Sequence, residues 1–221
     1  MYHPFPDDRT IAITRATKYI GSDPLFLDTE TTGLNLSDEI CEIAIIDLAG
    51  EVLINSLVRP ASMVIPPGAT AVHGITNDMV KEAPVFGDLL PNLNRILKGR
   101  TVLVYNAEYD QKMLWSSARL NNIEFTEDDQ HQWWSLKHKD PAGTLYSNWH
   151  CAMELYAAFY GDWNGYHHSY RWQRLSTAAR QCGIELPADI HRAHADAEMT
   201  RRIMLHVAAD GPSQLQLFQG E

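Results

Sequence analysis

Phe26-Leu27-Asp28-Thr29-Glu30-Thr31-Thr32-Gly33-Leu34 begins as a buried strand and ends in acids and a glycine. Strand side chains alternate between faces, so Asp28 and Glu30 point the same way. Two carboxylates side by side repel each other unless a proton or a metal sits between them. Gly33 permits the turn that exposes them. A lone Asp-x-Glu reads as a strand end with solvated acids. The surroundings decide otherwise.

Working outward, residues 42–47 and 52–58 read as two more strands joined through Ala49-Gly50, which predicts an antiparallel meander with residues 25–28. Residues 59–83 read as a long loop carrying Pro60, Pro66, Pro67, Gly68 and Gly74. Apolar residues at helical spacing predict a helix from Phe86 to Leu97, stopped by Gly99. A strand over 101–105 and a helix over 107–120 follow, with Asn106 at the N-cap position. Later come a short strand at 149–151, a helix through Tyr160, one over 175–182, and a last helix over 193–209 that Gly211-Pro212 ends. The fold class is α/β: a mixed five-stranded sheet flanked by helices. Residues 1–23 read as a polar lead-in with a short helix capped by Asp7 or Asp8, and residues 24–210 as the domain. Residues 126–172 form an aromatic-rich insertion or cap inside it, and residues 211–221 a flexible tail.

The chain has 221 residues and a formal net charge of −10. That balance argues against a protein that coats DNA by charge alone. It leaves room for an acidic site that meets phosphates through bound cations. Cys41, Cys151 and Cys182 are an odd, widely spaced set, read as free thiols in a reducing compartment. With no signal peptide and no apolar run long enough for a bilayer, the expectation is a cytoplasmic protein without a membrane partner.

Two further segments join Asp28 and Glu30. In Tyr105-Asn106-Ala107-Glu108-Tyr109-Asp110, Asn106 and Asp110 are four apart and share a face at the start of a helix. In His191-Arg192-Ala193-His194-Ala195-Asp196, the alanines suit close packing on a sheet, and Asp196 sits in the first turn, where the helix dipole favours an acid.

In order and spacing, these three segments resemble the motifs of the DEDDh exonucleases, which include the proofreading subunit of the bacterial replicative polymerase. The resemblance runs from about Pro24 to His206, and Val72-His73-Gly74-Ile75-Thr76 is similar to a loop of the proofreading branch. It implies an RNase H-like fold and a two-metal 3′→5′ exonuclease. By motif position, Asp28, Glu30, Asp110 and Asp196 would be the metal ligands and His191 the general base; His194 reads as a polar helix flank. Hard oxygen ligands suit Mg²⁺ or Mn²⁺, and two such cations activate water and stabilise a leaving oxygen. Thr31, Leu34, His73, Gly74 and Asn106 match substrate-contacting positions, although His73 serves equally well as a support for its own loop.

Residues 131–172 hold Trp133, Trp134, Trp149, Trp163 and Trp172 with several histidines. The favoured reading is a cap that buries them on one another or on a second copy of the chain; stacking on single-stranded bases is the alternative. Gln214-Leu215-Gln216-Leu217-Phe218 resembles the short peptide that binds the bacterial sliding clamp, with Gln214, Leu215, Leu217 and Phe218 as its contacts. The expected substrate is therefore a DNA 3′ end. An RNA-trimming exoribonuclease and an inactive nuclease-fold binding module are the rival readings.

Overall fold

Leu25–Thr31 forms β1 near the middle of the sheet, and every residue of it except Glu30 is buried. The computed structural model of the chain describes residues 5–62, 64–124, 138–139, 145–146 and 148–211. The tail residues Gln214, Leu215, Leu217 and Phe218, and also Trp133 and Trp134, lie outside the described residues. β2 (Ile40–Ile46) and β3 (Val52–Leu57) pair antiparallel in the predicted meander. β4 (Val102–Val104) and β5 (Trp149–Cys151) extend the other edge in parallel, giving the order β3-β2-β1-β4-β5. This is the mixed five-stranded sheet expected.

The alternation of β1 sorts the helices. Leu25 and Leu27 pack with α4 (Phe86–Leu97) and α5 (Ala107–Leu120), through Phe86, Leu93, Met113 and Leu114. Phe26 faces the other layer, built from α1 (Pro6–Ile20), α6 (Ala152–Tyr160), α7 (Leu175–Gln181) and α8 (Ala193–Ala209). By the period of two, Asp28 and Glu30 share the face of α8, while Thr29 shares that of α5. The strand thus sends its acids towards one helix and its hydroxyl towards another.

Some expectations change. Residues 59–83 are not one long loop, because α2 (Pro67–His73) and α3 (Asn77–Val80) form within them. Pro67 stands in the first helical turn, where its fixed φ helps and its missing N–H costs nothing. α1 starts at Pro6, with Asp7 and Asp8 in its first turn rather than at a cap. It also packs against the domain: Ala12 and Ala16 are buried in the α8 layer, and Arg9 pairs with Asp210 at 2.7 Å. The aromatic stretch divides. Trp149, Tyr156 and Phe159 are core residues, and Trp163 packs edge-on against Phe5 and Tyr170. Trp172 stays 66% exposed. No described helix is long and apolar enough to cross a membrane.

Candidate active site

The acids meet where β1 ends against the start of α8. Asp28, Glu30 and Asp196 each place a carboxylate oxygen within 4.8 Å of the others. Among the described residues none of the three makes an ion pair, and this acidic group could hold a metal ion. Asp110 approaches from the opposite layer. Thr29, the β1 residue between Asp28 and Glu30, donates its hydroxyl to Asp110 Oδ1 at 2.7 Å, and Asp110 is not one of the closest three.

This crowding shows in the protonation of the acids. Burial, then the charges of Asp110, Asp196 and Glu30, hold the Asp28 carboxyl well above its ordinary range. Glu30 is pushed up to about 8 by burial first and then by Asp196 and Glu42. Burial raises Asp110 to about 7 against the help of Thr29, and raises Asp196 to about 6. Neighbouring carboxyls of this kind ionise together only when a proton or a cation offsets their repulsion.

A fifth acid is already satisfied. Glu42 lies opposite Glu30 in the β1–β2 register and is buried. Arg192 grips both its oxygens through Nε at 3.1 Å and adds its terminal nitrogen, and the Ala193 amide donates to Oε2 at 2.9 Å. Glu42 therefore caps the first turn of α8 and fixes the helix that carries Asp196. The preceding residue, His191, has φ +65° and is exposed, and its backbone N–H donates to Asp196 Oδ1 at 3.2 Å. That bond turns the loop so that His191 and Asp196 line one hollow. His194 lines a different hollow, with Glu185 and Arg202, away from the other acids.

On the other side of the acids, Glu30, Thr31, Gly33, Leu34, Val72, His73, Asn106 and Tyr109 line a hollow of about 510 Å³. Its walls are tied together. Tyr109 donates its hydroxyl to Gly33 O at 3.0 Å and lies 2.6 Å from the Thr31 hydroxyl. Lys112 donates to Leu34 O, and Ser116 and Arg119 to Leu36 O, so one face of α5 holds the loop after β1. Leu34 is left 72% exposed on that loop. Gly33 is needed for close approach: a Cβ there would lie 2.6 Å from Asp38 Oδ2, which accepts the Asn35 amide.

His73 is buried, and both ring nitrogens are engaged. Nδ1 accepts the Ile75 N–H at 3.0 Å, which leaves Nε2–H to donate to Thr31 O at 3.2 Å. Burial lowers its pKa and keeps it neutral. Gly74 ends α2 with φ +74°, the left-handed cap that favours glycine. Asn106 occupies its predicted position with φ +75°, but its side chain caps nothing; it is exposed to the hollows on both sides of the acids.

Residues 25–204 match the exonuclease (RNase_T) family. The chain belongs to that family. It is 36% identical over 197 residues to the uncharacterized exonuclease CP81 of Escherichia phage 186, covering 89% of this chain and 94% of that one. To the DNA polymerase III epsilon subunit of Treponema pallidum it is 29% identical, covering 85% of this chain and 77% of that one. The nuclease domain of 3′hExo, a DEDDh family member solved bound to rAMP, superposes with a TM-score of 0.62 at 17% identity. That likeness covers 86% of this chain and 93% of that one, and it speaks for the fold.

The exonuclease domain thus brings Asp28, Glu30 and Asp196 into one cluster, with Asp110 beside Thr29 and His191 on the rim. Thr31, Leu34, His73, Gly74 and Asn106 gather around the hollow next to it or form its turn. Sequence reasoning missed Glu42, Arg192, Thr29 and Tyr109. Glu42 did carry a signal, being a charge inside the apolar run Ile40–Ile46.

Proposed function

We propose that this exonuclease removes nucleotides from DNA 3′ ends, releasing nucleoside monophosphates, with two divalent cations, Mg²⁺ or Mn²⁺, as cofactors. The observation that carries the reading is the set of carboxylates around Asp28, which make no ion pair among the described residues, whereas Glu42 is paired with Arg192. Asp28, Glu30, Asp110 and Asp196 would hold the cations, since all-oxygen ligands fit hard dications. When bound, the cations supply positive charge where a phosphodiester builds negative charge.

The chain's own residues do the rest. His191, exposed on the rim beside Asp196, takes a proton from the attacking water. Leu34, exposed on a loop braced by Tyr109 and Lys112, wedges against the terminal base and unstacks it so that its phosphate reaches the acids. His73 and Gly74 support that wall by holding Thr31 and turning the chain, and Asn106 stands beside the scissile phosphate.

Recruitment belongs to the tail. In a chain of net charge −10, long-range attraction to DNA is lacking, and a peptide bound to a ring around duplex DNA raises the local concentration of the enzyme. Deleting residues 213–221 should leave hydrolysis of free oligonucleotides unchanged and abolish co-elution with a bacterial sliding clamp. Clamp binding by the truncated chain would end the recruitment proposal. For the reaction itself, purified protein with Mg²⁺ or Mn²⁺ is given single-stranded DNA, duplex DNA with a mismatched 3′ end, and matched RNA. Loss of DNA length from the 3′ end is expected. Preferential trimming of RNA would make it an exoribonuclease, and no hydrolysis of any strand a binding module.

A further inference from the structure

The hollow that contains His191 and Asp196 measures about 480 Å³ and is lined also by Trp172, Gln173 and Arg174. Trp172 also lines a third hollow, of about 620 Å³, together with Arg15 and Tyr19, and Asn106 lines all three. A strand with its last nucleotide in the Leu34 hollow and its scissile phosphate at the acids would pass Asn106 and enter this second hollow. Resting on the exonuclease reading above, we propose that Trp172 and Arg174 form a subsite for the nucleotide on the 5′ side of the scissile bond. The base stacks on the indole, and the guanidinium meets a backbone phosphate.

Three observations support the assignment. Trp172 keeps 66% of its surface exposed, whereas Trp149 on the same side of the molecule is buried and Trp163 packs on Phe5 and Tyr170. Arg174 is exposed and, among the described residues, makes no ion pair, while nearby Arg171 is matched to Asp162 at 3.2 Å. The segment between them is anchored to the site: Tyr105, the residue before Asn106, donates its hydroxyl to Gln173 O at 2.8 Å. Arg171 N–H donates to Asp162 O at 2.8 Å, and the Gln173 side chain donates to Arg171 O at 3.1 Å. The backbone that carries the indole and the guanidinium is fixed in advance, which lowers the ordering cost of binding. Stacking on indole tolerates every base, so the subsite recognises single-stranded nucleic acid without reading its sequence.

The test uses the full chain with Mg²⁺ and two probes. Oligothymidylates from dimer to hexamer carry a base on the 5′ side of the scissile bond, and a dimer whose 5′ sugar is abasic carries none. Wild-type KM should be lower for the strands than for the abasic dimer. W172A should raise KM for every strand, the dimer included, about tenfold and leave the abasic dimer nearly unchanged, with kcat changed less than twofold. W172F, which keeps a stacking face, should restore most of the loss. R174A should raise KM and reduce the salt slope by about one phosphate contact. Circular dichroism of each variant should match wild type. Unaltered KM for the strands in W172A would overturn the proposal, as would failure of W172F to rescue. An equal loss on the abasic dimer would show that Trp172 does not stack on the upstream base and overturn it too. If wild type cleaves neither probe, the exonuclease reading falls first and takes the subsite with it.

Discussion

β1 and β2 carry acids side by side, and the fold treats them in opposite ways. On β2, Glu42 is bound by Arg192 and the Ala193 amide; just before that strand, buried Glu39 accepts the amides of Ala61 and Ser62 at 2.8 and 2.9 Å. On β1, Asp28 and Glu30 face Asp196, none of the three makes an ion pair among the described residues, and burial with mutual repulsion raises the carboxyls of Asp28 and Glu30. A buried acid with its own donors is part of the scaffold. One without a cationic partner is, on the proposal above, a cation ligand. The distance between the two kinds is one step across the ladder, Glu30 to Glu42.

Asp28→Asn should break this contrast most severely. An amide cannot serve two dications, so hydrolysis should fall to below a few per cent of wild type in an assay on single-stranded DNA. The metal-free protein should not lose stability, because one member of a repelling cluster has been neutralised. Activity above that level would show that the cluster is not the metal site.

His191→Ala comes next, with turnover expected to drop by about 10²-fold and cation binding nearly unchanged. His194→Ala should do much less, since His194 lines a different hollow. A reversed order of these two effects would assign the base to the wrong histidine.

The smallest effect sharpens the comparison directly. Glu42→Gln should destabilise the chain by about 2 kcal/mol, as it breaks charged hydrogen bonds to Arg192 and the α8 cap. The value stays modest because the Arg192 side chain is 35% exposed and water replaces part of the loss. Glu30→Gln should instead raise the melting temperature of the metal-free protein. Equal signs in thermal melts would mean that the two acids are not distinguished as described.

Much of this was legible in the sequence, and the reasons differ by residue. Short-range patterns gave β1, the meander, α4 and α8, because apolar period and Gly stops are local. Asp28, Glu30 and Asp196 converge because a period of two and a helix start place them on one face. The partner of Glu42 was not readable, since Arg192 lies 150 residues away and only the sheet brings them together. α2 reads as loop because Pro66 and Pro67 look like breakers until their places at the N-cap and the first helical position are known. The aromatic stretch was the hardest. Composition alone does not tell buried Trp149 from exposed Trp172.

The most direct test of the account is the melting temperature from pH 5 to pH 8, with and without Mn²⁺. The folded carboxyls titrate above unfolded ones, at about 6 for Asp196, about 7 for Asp110 and about 8 for Glu30. The native state therefore holds protons that the unfolded chain has released, and its stability is fullest near pH 4 and falls as pH rises through those values. Mn²⁺ replaces the protons and binds only the assembled cluster, so it should raise the melting temperature, more at pH 8 than at pH 5. The account predicts a falling metal-free curve and a gap that widens with pH. A metal-free curve that rises towards pH 8, or melts that Mn²⁺ leaves unmoved, would contradict it.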